Sequence, residues 1–156
     1  MFDPDDDLEP VGYHVYFHCV FSTKGRQPLI APGLQHGLWV CIGGVARVHG
    51  MRTLAVGGTD NHCHILLFPP EDISVDQAVR LIKSGSAEWI REFHGKPDFD
   101  WQQGYGAFSL SRSGIPALSE AILSQAEFHR TVDCQTEFLA LLRENHIEFD
   151  PTDGWE

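Results

Sequence analysis

The stretch MRTLAVGGTDNHCHILLFPP, residues 51–70, decides how this chain folds. Residues 51–59 read as a strand that breaks at Gly57-Gly58. HCHILLF (62–68) reads as a second strand, stopped by Pro69-Pro70 because proline has no N–H to give a sheet ladder. Between them Thr59-Asp60-Asn61 is short and polar, as a hairpin turn requires. Side chains two apart on a strand share a face, so His62 and His64 project together. Two readings of the pair stand open: half-buried imidazoles bonded to neighbours, or two nitrogens converging on one metal ion. Position 66 is Leu, which sets aside the nucleotide hydrolases that need a third alternating histidine.

Upstream, YHVYFHCVFS (13–22) alternates. Tyr13, Val15, Phe17, Cys19 and Phe21 point one way, and His14, Tyr16, His18, Val20 and Ser22 the other, giving one core face and one mixed face. The loop STKGRQP carries Lys24 and Arg26. After Pro32, the spacing of Leu34, Leu38, Ile42 and Val45 predicts a helix that ends at His49-Gly50. Downstream, Ser74 and Gln77 have capping-box spacing, and Val75, Val79, Ile82, Ser86, Trp89 and Phe93 form one apolar side. DFDWQQGYG is a loop and AFSLS (107–111) a fourth strand. Helices follow over roughly 115–129 and 134–145, the last with Phe138, Leu141 and Leu142 inward. The order β-α-β-β-α-β-α-α predicts an α+β fold: an antiparallel sheet of four to five strands with helices on one face, the ferredoxin-like split βαβ.

A chain of 156 residues with 42% hydrophobic content suits one domain, expected over 12–150 between an acidic tail (1–11) and a short C-terminal tail (151–156). No apolar run nears the roughly 18 residues that span a bilayer, and the acidic start is unlike a signal peptide, so a cytoplasmic protein is expected. Cys19, Cys41, Cys63 and Cys134 show no CxxC pair and read as buried thiols. The net charge of −11 argues against a large phosphate-neutralising surface. Removing Asp3, Asp5, Asp6, Asp7 and Glu9 leaves 17 acidic against 11 basic residues, or −6, so any nucleic-acid contact is confined to a small patch.

Four segments in order, YFHCVFSTKGRQPLI, LAVGGTDNHCHILLFPP, WQQGYGAFSLSRS and LSQAEFHRTVDCQTEFLALLRENHIEFD, resemble the HUH single-tyrosine transposases of the smallest bacterial insertion sequences and their REP-associated relatives. The resemblance covers about residues 12–150. It implies an HUH fold binding single-stranded or hairpin DNA at a divalent-metal site (Mg²⁺ or Mn²⁺), with His62, His64 and Gln125 as ligands. It also implies a homodimer in which one subunit's helix completes the other's site, so that Gln125 would act in trans.

In that family a helical tyrosine four residues before the glutamine attacks the scissile phosphate. Here the position is Ala121, and a methyl group cannot attack phosphorus. Ser124 sits about 300° around the helix from it. Tyr105 reads as a packing or loop-anchoring residue. Phe128 departs from the family's histidine pair, and together with the acidic surface it favours a naturally diverged protein. The basic residues that match a DNA surface are Lys24, Arg26, Arg80, Lys83 and Arg112, with Arg130 beyond them. Lys24-Gly25-Arg26 is the best placed, since glycine lets backbone approach backbone. Trp101 either stacks an unpaired base or closes the core. The expected function is transposition-type cleavage and rejoining of DNA, impaired at Ala121; the alternative is a domesticated, non-catalytic DNA-binding regulator.

Overall fold

The computed structural model describes residues 15–125 and 134–145. The elements are β1 (Tyr16–Ser22), α1 (Pro32–Val48), β2 (Arg52–Gly58), β3 (His62–Phe68), α2 (Val75–Phe93), β4 (Gly106–Leu110), α3 (Ile115–Leu123) and α4 (Cys134–Glu144). All strand pairs are antiparallel, in the order β2-β3-β1-β4. This is the expected α+β arrangement. Its boundaries follow local chemistry. Ser74 and Gln77 form a reciprocal capping box at the start of α2, each side chain accepting the other's backbone N–H. The hairpin closes with Thr59 N–H on the His62 carbonyl at 3.1 Å.

The alternation in β1 and β3 divides the sheet into two unlike faces. Cys19, Phe21, Cys63, Ile65 and Leu67 bury against Leu38 and Ile42 of α1 and Val79, Ile82 and Ile90 of α2. Trp101 seals this core: its Nε1 donates to Ser86 Oγ at 3.0 Å, and its ring stands edge-on to Phe21. It is a core residue, not an exposed stacking platform.

The expectation of helices on one face holds for α1 and α2 and needs a correction for the rest. The second face carries Tyr16 and Leu66, too apolar to leave in water, and α3 covers them with Ile115 and Ile122. Phe138 of α4 packs on Phe108 of the same face. Of the helix expected over 115–129, α3 covers Ile115–Leu123 and breaks at Ser124, which gives its N–H to Glu120 and Ala121 and its hydroxyl to Glu120; residues 126–129 lie outside the described residues.

Two glycines let these helices settle. Gly57 lies opposite His64 in the β2–β3 ladder, and a Cβ there would collide with the Ile122 carbonyl. A Cβ on Gly106 would lie 2.6 Å from the Phe138 ring.

Candidate metal centre

His62 and His64 sit on the second face of β3, and both are buried. The end of α3 brings Gln125 to them from above, and α4 brings Glu137. His62 Nε2 lies 3.0 Å from Gln125 Oε1 and 3.5 Å from Glu137 Oε1. His64 Nε2 lies 2.6 Å from the same carboxylate oxygen. Gln125 Nε2 donates to Glu137 Oε2 at 3.1 Å. Two imidazole nitrogens, one carboxylate and one amide oxygen therefore converge, and the ligand atoms of His62, His64 and Glu137 all fall within 4.8 Å of one another.

The hydrogen bonds around His62 show that this set suits a cation. Thr59 Oγ1 donates to Asn61 Oδ1 at 3.2 Å, and His62 Nδ1 meets that same amide oxygen at 2.9 Å. The oxygen only accepts, so the imidazole proton belongs on Nδ1. Nε2 is then a lone pair directed at Gln125 Oε1, another acceptor. A positive ion is what two acceptors facing each other in a buried site call for. Mixed nitrogen and oxygen donors suit Mn²⁺, while Mg²⁺ prefers oxygen alone.

Behind His64 stands a third imidazole. His18 Nε2 is 2.7 Å from His64 Nδ1, and the two rings stack at 5.0 Å. Burial first, then the neighbouring His64, pushes the His18 pKa down to about 3, with Glu137 pulling weakly the other way. His18 is thus neutral, and it fixes the orientation of the His64 ring.

Ala121 lines a cleft of about 500 Å³ that also touches His18, His64, Gln125 and Glu137. The position matched to the nucleophile therefore faces the cluster, without an oxygen to offer it. Tyr105 is anchored elsewhere: its hydroxyl donates to Asp76 at 2.8 Å, and burial with that bond raises its pKa to about 12. It holds a loop, as the sequence suggested. The Cys19 thiol, buried in the first core, is likewise pushed up to about 12.

The basic residues are scattered. Lys24 and Arg26 occupy a short helical turn just after β1, at the end of the sheet where Ser22 pairs with His62. Arg112 follows β4, whose last residue pairs with Tyr16 at the opposite end. Arg80 is exposed on α2 and paired with Asp76. Lys83 donates to the Gln102 and Gly104 carbonyls at 2.6 and 2.9 Å, so it holds the 102–104 loop. Phe128, Arg130, Tyr13, His14 and the acidic tail lie outside the described residues.

Sequence reasoning brought together His62, His64 and Gln125 but missed Glu137 and His18. The signal for Glu137 was faint: an acidic residue four before Leu141, in line with the inward side of its helix. His18 had been placed on the mixed face of β1 without a role. Gln125 meets His62 of its own chain.

Comparison with known proteins gives the family. The profile described as "Transposase IS200 like" matches residues 11–125. Among curated proteins, none matches the chain. Among solved structures, a candidate transposase from Deinococcus radiodurans R1 superposes with a TM-score of 0.59 at 20% identity, covering 75% of this chain and 95% of that one. A REP-associated tyrosine transposase bound to a REP hairpin gives 0.55 at 19% identity, covering 81% of this chain and 76% of that one. At such identities the likeness concerns the fold.

Proposed function

The chain belongs to the IS200-like transposase family, and on that premise we propose that it binds single-stranded or hairpin DNA at a divalent-metal centre held by His62, His64, Glu137 and Gln125. The observation that carries this reading is the convergence of those four side chains from three separate elements. A divalent ion held there supplies Lewis-acid polarisation of a phosphodiester oxygen. The chain's own residues do the rest. Asn61 keeps the His62 proton on Nδ1, His18 orients His64, and α3 and α4 deliver the amide and the carboxylate. Lys24 and Arg26, at the His62 end of the sheet, are the cations best placed to hold a DNA backbone. Arg80 and Lys83 lie on α2, which packs on the other face of the sheet, and Arg112 lies at its far end, so these three engage only DNA long enough to reach past the centre.

Strand cleavage is impaired in this proposal, because Ala121 carries no nucleophile and Tyr105 is held away by Asp76. The hairpin bound by the REP-associated relative supports a hairpin as the ligand to try first. Hairpin oligonucleotides in Mn²⁺ should be retained by the protein without forming a covalent adduct, and Ala121→Tyr should form one. His62→Ala should weaken hairpin binding. Undiminished binding in that variant would favour the regulator reading, in which the fold serves without its metal.

A further inference from the structure

The cleft beside the cluster is built like a ligand site in its own right. Its walls are Leu118, Ala121, Ile122, Ala140 and Leu141, contributed by α3 and α4. Its inner end is polar, with His18, His64 and Gln125 each at least nine-tenths buried. An apolar cavity of roughly 150 Å³ already takes up benzene, and this one holds about 500 Å³.

The lining decides the chemistry of the occupant. Among the described residues it contains no lysine or arginine, and it carries the carboxylates of Glu137 and Glu144, so without a metal anions are disfavoured. Aliphatic walls favour an apolar body. At the inner end His18 has its Nε2 engaged by His64, while its Nδ1 meets no partner among the described residues. That nitrogen offers one hydrogen bond to a ligand hydroxyl.

We propose that this cleft binds a small neutral aryl alcohol of the phenol class, its ring between α3 and α4 and its hydroxyl on the His18 imidazole. The site needs no metal, although it shares His64, Gln125 and Glu137 with the centre proposed above.

The test uses p-cresol with full-length protein, followed by calorimetry and thermal unfolding. Saturable binding with a raised Tm is expected, with toluene, which lacks the hydroxyl, about ten-fold weaker, the scale of one buried hydrogen bond. Ala121→Phe places a ring in the cleft and should abolish the binding. Leu118→Trp fills it from the other wall and serves if the first variant misfolds. His18→Phe should bring p-cresol and toluene to equal affinity. No saturable binding, equal affinity for both compounds in the native protein, or binding untouched by both filling variants overturns the proposal. Mn²⁺ titrated into the same preparation separates the two readings. If p-cresol binds and Mn²⁺ does not, the cleft stands and the metal centre falls; if Mn²⁺ binds and p-cresol does not, the cleft alone falls.

Discussion

The carbonyl of Ile122 rests directly on the Cα of Gly57, in space that any side chain at 57 would occupy. This contact sets how low α3 sits on the sheet, and so whether Gln125, three residues further on, can reach His62. Gly57→Ala should lift the end of α3. Overpacking of this kind costs about 1–3 kcal/mol, and the loss should appear both in thermal unfolding and in a weakened Mn²⁺ titration. If Mn²⁺ affinity were unchanged while Tm fell, Gln125 would have no part in holding the ion.

Glu137 tests the fourth donor. Its carboxylate touches both imidazoles and the Gln125 amide. Glu137→Gln keeps the shape and removes the charge, so Mn²⁺ affinity should fall by at least about ten-fold, or roughly 1.4 kcal/mol. Calorimetry with Glu137→Gln beside His64→Ala reads it. Equal affinity for native protein and Glu137→Gln would mean that the carboxylate only docks α4.

His18 gives a pH dependence to the metal-free protein. Its ordinary pKa of 6.5 falls to about 3 in the fold. As pH drops below 6.5 the unfolded chain takes up a proton that the native state refuses, so stability contributed above that value is lost progressively down to about 3. Denaturant midpoints measured with chelator between neutral and mildly acid pH should decline less steeply in His18→Gln. Parallel curves would show that His18 does not set the slope.

Lys83 fastens the loop after Trp101 by two carbonyls. Lys83→Met gives up both bonds, together with the ammonium that lies 5.6 Å from the centre of the Phe21 ring. Limited proteolysis should then cut near residues 102–104 several-fold faster, with the cost in global stability held to about 1–3 kcal/mol. Unchanged cleavage would mean that the loop is held by its other contacts.

Much of this was legible along the chain, because the deciding signals were local. Alternation in residues 13–22 and 62–68 fixed which side chains shared a face, and Ser74 with Gln77 marked a helix start that the structure reproduces. The histidine pair needed only strand geometry. Gln125 came from likeness to a family, since no periodicity joins it to residue 62. Glu137 and His18 escaped because their roles arise from packing between distant elements. Glu137 lies 73 positions from His64, and His18 lies 46. The placement of α3 was hidden for a related reason: a mixed strand face does not reveal whether a helix or water covers it.

His62, His64, Gln125 and Glu137 meet within one polypeptide, which predicts that each copy would carry its own donor set. In mixtures of His62→Ala chains with Glu137→Ala chains, no ion-binding centre should therefore form at any ratio. A centre shared between copies would instead reappear in mixed pairs, where one chain's histidines meet the other chain's carboxylate. A blend of two defective parents thus reads out, without any further structure, whether the centre is a private possession or a joint one.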